Sequence, residues 1–337
     1  MTTPRLSICI ATLNRAAFIG ETLHSIISQA TDDVEVVVVD GASIDGTDEV
    51  VRRHQQLFRG LRYFRQPAAG GVDQDFDRAV ALAEGEYCWL MSDDDLLKQG
   101  AVETVLAATQ RGFALIVVNS EVRDTALGEV LEANRLNVHA DRVYHPNEAE
   151  GLFVDTVGYL SFIGGVVIRR AVWLARERPR YFGSLFIHVG VIFQGPLPAD
   201  ALVIARPLIS IRFGNELWTP RTFEIWMFKW PGLVWSFAQF SAATKRRVCP
   251  REPWRRARTL AVYRARGAFS TAEYSRWLEP LLTSPWRRLL ARTVARLPAR
   301  PLALLAAVYY FIFYKRSRRL LFNSLNVASP GSRWRRL

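Results

Sequence analysis

Three adjacent carboxylates, Asp93, Asp94 and Asp95, follow an apolar run at residues 87–91. Like charges this close repel one another, and stability alone does not favour them beside a core strand. Oxygen donors of this kind suit Mg²⁺ or Mn²⁺, cations that also bind diphosphate oxygens. The plain alternative is a solvated helix start, where the dipole favours Asp. Two more segments place polar groups just after apolar runs. Asp40 ends the run Val36-Val37-Val38-Val39 and precedes Gly41-Ala42-Ser43-Ile44-Asp45-Gly46-Thr47. A carboxylate there can accept hydrogen bonds from a base or ribose, with Ser43 beside it. The alternative is an ordinary strand–turn–helix in which Ser43 and Gly46 are turn residues. Thr12-Leu13-Asn14-Arg15 follows the run at 6–12. An arginine in that place can meet a diphosphate, or simply be solvated on a turn.

For such groups to meet, several strand ends must lie side by side. Residues 6–12 read as a strand, 16–29 as a helix through Phe18, Ile19, Leu23, Ile26 and Ile27, and 34–39 as a β-branched strand. Residues 45–56 read as a helix with Ser43 or Asp45 as cap, 61–65 as a strand and 73–83 as a helix. Strand 87–91, helix 99–110 and strand 115–119 continue the alternation. This rhythm predicts an α/β fold, a mostly parallel sheet with helices on both faces. Ligands of such sheets bind at the carboxyl ends of strands, where Thr12, Asp40 and Asp93 stand. Residues 121–160 are less regular. A strand is expected at 162–168 with Gly164-Gly165 inside it, and a final pair at 201–206 and 208–212.

In order and spacing, Thr12-Leu13-Asn14-Arg15, the Asp40–Thr47 segment, Gly85-Glu86-Tyr87 and Asp93-Asp94-Asp95 resemble the family 2 glycosyltransferases, whose fold is called GT-A. The resemblance covers roughly residues 5–215. More narrowly, residues 70–77 leading into 88–95, with Phe162-Ile163-Gly164-Gly165 and Phe186-Ile187-His188-Val189-Gly190, look like the abequosyltransferase group. Those enzymes add a dideoxyhexose from a CDP-sugar during O-antigen assembly. The resemblance implies an inverting transfer from a CDP-, dTDP-, UDP- or GDP-linked sugar to a polyprenyl-diphosphate-linked glycan. It places Asp40 at the nucleobase, Asp94 near the ribose, and Asp93 and Asp95 as candidate ligands of Mn²⁺ or Mg²⁺. Thr12, Asn14, Arg15 and Ser43 fall within the donor site so implied.

One departure concerns the catalytic base. Many family members carry a Glu-Asp pair about 90 residues after the acidic motif. Here that interval reaches Leu185–Val189, with no carboxylate but with His188. An imidazole can deprotonate a sugar hydroxyl near neutrality; the alternative is a buried histidine held by a carbonyl. Asp73, Asp75 and Asp77 remain candidates for the base, for donor binding, or for helix N-terminal carboxylates. Arg206, Arg212, Asn215 and Trp218 follow the last core strands, and Arg212 is the candidate for stabilising the leaving diphosphate.

The charge is divided unevenly. Residues 245–337 hold 22 Lys/Arg against 3 Asp/Glu, whereas residues 1–244 hold 22 against 29. The organisation expected is a catalytic domain at 1–215, an aromatic connecting segment at 216–244 and a basic helical region at 245–337. A 13-residue apolar run, 302–314, lies between Arg296, Arg300 and the Lys315-Arg316-Ser317-Arg318-Arg319 cluster. It is too short to span a bilayer simply, so it predicts peripheral attachment to an anionic membrane surface. Nucleic acid is not an expected partner, because no recognition motif accompanies the charge. Cys9, Cys88 and Cys249 form no metal or disulfide pattern. The N-terminus lacks a signal-peptide pattern, so a cytoplasmic protein on the inner face of a bacterial plasma membrane is expected. A sugar nucleotidyltransferase would instead carry a glycine-rich phosphate loop near the N-terminus, and residues 11–17 are not glycine-rich. A non-catalytic membrane adaptor with the same fold would have lost the acidic triplet, which is intact.

Overall fold

The computed structural model describes residues 3–215 and 219–313; Trp218, Tyr314 and the basic cluster at 315–319 lie outside them. Two compact units divide the chain. The first comprises residues 1–213 and 237–248, the second residues 214–236 and 249–337.

The first unit is built on one sheet. Its strands are β1 (Leu6–Thr12), β2 (Val34–Asp40), β3 (Leu61–Arg65), β4 (Tyr87–Met91), β5 (Leu96–Leu97), β6 (Leu115–Arg123), β7 (Val130–Glu132), β8 (Arg142–Tyr144), β9 (Val166–Arg169) and β10 (Ala201–Arg212). The order is β3-β2-β1-β4-β9-β6-β10-β5, with β7 on β6 and β8 on β10. The β1–β4 half is parallel, as is the β6–β10 pair, and β9 runs antiparallel between β4 and β6. Central parallel strands are covered on both faces and so read as continuous apolar runs; every residue of β1, β2 and β4 is buried. On one face Ile8, Val36 and Trp89 pack with Leu23 of α1 (Ile19–Ile27), Val51 of α2 (Thr47–Leu57) and Val105 of α4 (Ala101–Thr109). Helix α3 (Val72–Leu82) lies against β1 and β2. Register sets Thr12 opposite Asp40 and Ile10 opposite Met91. The polar residues after these strands therefore emerge along one edge.

Three expectations change. Residues 162–168 are not one strand: Ile163–Gly165 is a 3₁₀ turn and only Val166–Arg169 is extended. Aromatic rings occupy the space where side chains would go, since a Cβ on Gly164 would meet the Phe162 ring at 2.4 Å and one on Gly165 the Tyr159 ring at 2.6 Å. The expected pair 201–206 and 208–212 is a single strand, β10, whose register with β6 shifts between Ile204 and Ile209. Pro207, lacking an N–H, falls inside that irregularity and interrupts pairing without ending the strand. The 216–244 segment is divided between units. Residues 237–248 return to the first, where the Phe240 ring stacks on Phe153 at 4.1 Å and Phe237 meets the same ring edge-on at 6.1 Å.

The second unit is helical. Its apolar core joins Phe223, Met227, Trp254, Leu260, Phe269, Leu278 and Val294. The helix that starts at Thr222 contains a π turn, Ile225–Lys229, before continuing through Trp230–Ser236. Helices Pro285–Arg296 and Ala299–Phe313 follow later. Among the described residues no helix is long and apolar enough to cross a membrane.

Candidate functional site

Two turns form the floor of the site and are bonded to each other. Asn14 takes up left-handed backbone, φ 55°, which Asn tolerates better than most residues. Its N–H donates to Ser43 Oγ at 2.8 Å, and its Oδ1 accepts from the Ile44 N–H at 2.8 Å. The Arg15 N–H donates to Thr47 Oγ1 at 2.9 Å and the Ala16 N–H to Asp45 Oδ2 at 3.0 Å. Asn14, Ser43 and Asp45 thus order the turns on which the strand-end groups sit.

Asp40 is fully buried at the end of β2. Its Oδ1 accepts from the Ser43 N–H at 2.7 Å, and its Oδ2 from the Tyr63 hydroxyl at 2.6 Å. Asp75 approaches the same turn: a Cβ on Gly41 would stand 2.9 Å from Asp75 Oδ2, so glycine makes the approach possible. Burial, then the Asp40 charge, pushes the Asp75 carboxyl up to about 6. Its neighbours on α3 are committed elsewhere. Asp73 accepts the N–H groups of Leu185 and Ile187 at 2.8 and 3.0 Å. Asp77 accepts the Trp173 indole N–H at 2.9 Å and pairs with Arg178 at 2.8 Å.

The acidic turn after β4 is buried and over-supplied with negative charge. Arg15 pairs with Asp93 at 3.3 Å and with Asp94 at 3.1 Å. Burial and the Asp94 charge still push Asp93 up to about 7, against the opposing pull of Arg15 and the Thr12 hydroxyl. Asp95 accepts from the Ser92 hydroxyl and, at 2.8 Å, from the Arg212 N–H. Burial and then Asp94 raise its pKa well above the usual carboxylate range. Arg212, at the end of β10, clamps the turn. Its Nε donates to the Asp94 carbonyl at 3.0 Å, its Nη1 to the Thr125 carbonyl at 2.7 Å, and its Nη2 meets the Glu21 carboxylate. The guanidiniums of Arg15 and Arg212 both lie near the Phe18 ring, at 5.6 and 5.2 Å.

Among the described residues no three His, Cys, Asp or Glu side chains converge closely enough to hold a metal ion alone. The acidic turn nevertheless fits a divalent cation whose other ligands come from a bound molecule: its donors are hard oxygens, and three carboxylates stand side by side there, largely buried.

His188 lies on α5 (Ile187–Phe193) and is buried. Its Nε2 is 2.6 Å from the Leu160 carbonyl. A carbonyl only accepts, so Nε2 carries the proton and Nδ1 presents its lone pair. Nδ1 is buried with no hydrogen-bond partner, and burial lowers the ring's pKa to about 4. Arg206 is turned to Thr104 Oγ1, at 2.6 Å.

Sequence reasoning missed Tyr63, Glu21 and Phe18. Tyr63 carried a usable signal, because parallel pairing of β2 with β3 sets Val38 opposite it, two residues before Asp40. Glu21 gave none, since its partner is 191 residues away.

Comparison with known proteins converges on one group. The sequence model described as Glycosyl transferase family 2 matches residues 7–174. The abequosyltransferase RfbV of Salmonella typhimurium (strain LT2) is 25% identical over 224 residues, 63% of this chain and 67% of that protein. The GalNAc(5)-diNAcBac-PP-undecaprenol beta-1,3-glucosyltransferase of Campylobacter jejuni is 31% identical over 117 residues, 34% of this chain and 38% of that one. Among solved structures, a mannosyltransferase from Pyrobaculum calidifontis in complex with GDP-Man and Mn²⁺ matches with a TM-score of 0.54 at 18% identity. That match covers 100% of this chain and 89% of the other, and is a likeness of fold.

Proposed function

Because residues 7–174 are a family 2 glycosyl transferase domain in a GT-A fold, we propose that the chain moves a sugar from a nucleoside-diphosphate donor to a glycan hydroxyl during bacterial surface-polysaccharide assembly. The observation that carries this reading is the buried acidic turn Asp93–Asp95, three adjacent carboxylates set on the same strand edge as Asp40.

The residues divide the work. Asp40, held by Ser43 and Tyr63, faces the nucleobase or ribose, and Asp94 approaches the ribose. Asp95 and Asp93 would hold Mn²⁺ or Mg²⁺ against the diphosphate. When bound, the cation neutralises charge that develops on the leaving nucleoside diphosphate. Arg212 contributes by fixing the acidic turn through Asp94 and Asp95. The acceptor oxygen attacks the anomeric carbon as the bond to diphosphate breaks, inverting that centre, and His188 Nδ1 takes the hydroxyl proton. The donor class is supported by the GDP-Man complex of the solved relative. An acceptor on a polyprenyl diphosphate is supported by the name of the Campylobacter relative, and a CDP-linked dideoxyhexose by the abequosyltransferase similarity.

Thermal-shift titration with UDP-, CDP-, GDP- and dTDP-sugars, each with and without Mn²⁺, tests the reading. One donor is expected to raise Tm, and to do so far more with Mn²⁺, since a ligand at 100 times its Kd stabilises by about 2.7 kcal/mol. No response to any of the four would sink it.

Attachment to an anionic membrane belongs to the same proposal. Trp286 and Leu289 on helix Pro285–Arg296 are 69% and 57% exposed, as is much of Leu304, Leu305 and Val308 on the next helix. Exposed Arg287, Arg288, Arg292, Arg296 and Arg300 accompany them. Apolar insertion with arginines at headgroup level suits an interfacial helix. The full chain is expected to float with anionic liposomes. Replacing Trp286 and Leu289 together by Ser should weaken flotation at least ~10-fold, and high salt should weaken but not abolish wild-type binding. Unchanged flotation of the double variant would remove helix Pro285–Arg296 from the attachment.

A further inference from the structure

The second unit contains a cavity of about 460 Å³, bordered by Phe228, Trp235, Trp254, Gly232, Arg251 and Glu252, among others. Its walls are mixed. Phe228 and Trp254 lie nearly parallel, at 27° and 6.3 Å between centroids. Trp235 has its indole N–H tied to the Cys249 carbonyl at 3.1 Å, which fixes the ring, and the Arg251 guanidinium lies 5.6 Å from that ring. Glu252 is paired with Arg255 at 2.6 Å. The cavity forms where the Thr222–Ser236 helix departs from regular geometry, since Phe228 belongs to the π turn Ile225–Lys229. Such turns reset side-chain direction and occur often at functional sites. At Gly232 a Cβ would meet nothing within 4 Å, so the helix there leaves space.

Fixed aromatic rings beside an arginine and a carboxylate match a ligand with apolar faces and hydroxyl edges. A β-linked hexopyranose has that form: its axial C–H bonds make a face that lies on an aromatic ring, while its equatorial hydroxyls reach the carboxylate and guanidinium. A hydrocarbon chain would leave Arg251 and Glu252 facing apolar surface at a desolvation cost. The volume holds a ligand of one to two sugar rings, within the usual size of small-molecule sites. We propose that this cavity binds a neutral, β-linked hexopyranose unit of a glycan. The proposal rests on the glycosyltransferase reading for taking glycan as the ligand, but the cavity contains none of the donor-site residues.

Saturation-transfer NMR on the full chain with cellotetraose tests it. In the wild type, saturation is expected at the axial ring protons. Gly232→Phe, which adds a ring where a Cβ has room, should weaken it at least ~10-fold, and Glu252→Gln should weaken it without filling the cavity. Slow hydrolysis of the donor to nucleoside diphosphate, measured in the same samples, should be unchanged in both variants. Loss of donor hydrolysis in every protein would count against the transferase reading, while the sugar signal would still judge the cavity. No saturation in the wild type would overturn the proposal. So would saturation as strong as wild type in both Gly232→Phe and Glu252→Gln, or a signal from dodecylphosphocholine monomer in place of cellotetraose.

Discussion

Asp95→Asn is expected to lower sugar transfer by ~10³-fold or more, about 4 kcal/mol in the barrier, while leaving the fold intact. Asp95 is buried, and burial and then the Asp94 charge push its carboxyl well above the usual carboxylate range, toward the neutral form. Asn is close in shape to that neutral form. Its Oδ1 can still accept the Arg212 N–H, so the turn keeps its anchor. What disappears is the charge that would hold a cation against the diphosphate. Sign separates the two effects. At pH 8 the variant should melt at the same temperature as wild type or higher, because an ionised buried carboxylate is costly. Mn²⁺ together with donor should raise the Tm of wild type only. Transfer at the wild-type rate would remove Asp95 from the metal and from catalysis.

His188→Ala should lower turnover by ~10²–10⁴-fold with little change in donor affinity. The ring is oriented by Leu160, and its buried Nδ1 is unpartnered. Its pKa of about 4 keeps it neutral, hence competent to accept a proton, from about pH 5 upward. On the acid side, wild-type kcat should fall as pH drops through about 4. Stability shares this direction. The folded pKa lies below the unfolded value of about 6.5, so the folded state binds fewer protons between those values. The contribution is complete above about pH 6.5 and is lost as pH falls toward 4, by about 3 kcal/mol in all. His188→Ala should flatten that acid slope in pH-dependent melts. Normal turnover with weakened donor binding would instead return the base to α3. Asp73 and Asp77 are held by Leu185, Ile187, Trp173 and Arg178 there, which leaves Asp75.

Much of the first unit was legible because parallel-sheet cores write themselves as apolar runs closed by polar residues. Strands β3 and β4 begin and end where the runs do, and helices α1 to α4 differ from their expected spans only at the ends. The site floor was legible for the same reason, as Thr12, Asp40 and Asp93 stand at the ends of runs that become neighbouring strands. Partnerships set by distant chain could not be read. Arg15 reads as a diphosphate ligand or a solvated turn residue, and the sequence does not reveal that it pairs with Asp93 and Asp94, some 80 residues on. Arg212 reads from the sequence as a candidate for stabilising the leaving diphosphate, and the sequence does not reveal that its donors go to Asp94, Thr125 and Glu21. Pro207 read as a strand end because the sequence does not reveal that a neighbouring strand absorbs the irregularity. The 216–244 stretch read as one aromatic segment because composition does not tell which rings Phe237 and Phe240 will meet.

The Arg212 clamp has a consequence for synthesis on the ribosome. The turns after β1 and β2 are joined by bonds that close loops of about 30 residues, so they can form once the first two βα units have emerged. The acidic turn waits much longer. Its Asp95 anchor is 117 residues downstream, at the end of β10. The chain emerges from its N-terminal end, so a nascent chain ending before residue 212 already has both partners of the bonds between the turns after β1 and β2, but lacks the N–H that anchors Asp95. Ribosome-arrested chains of increasing length should therefore gain donor affinity in two steps, the second only after β10 has left the exit tunnel.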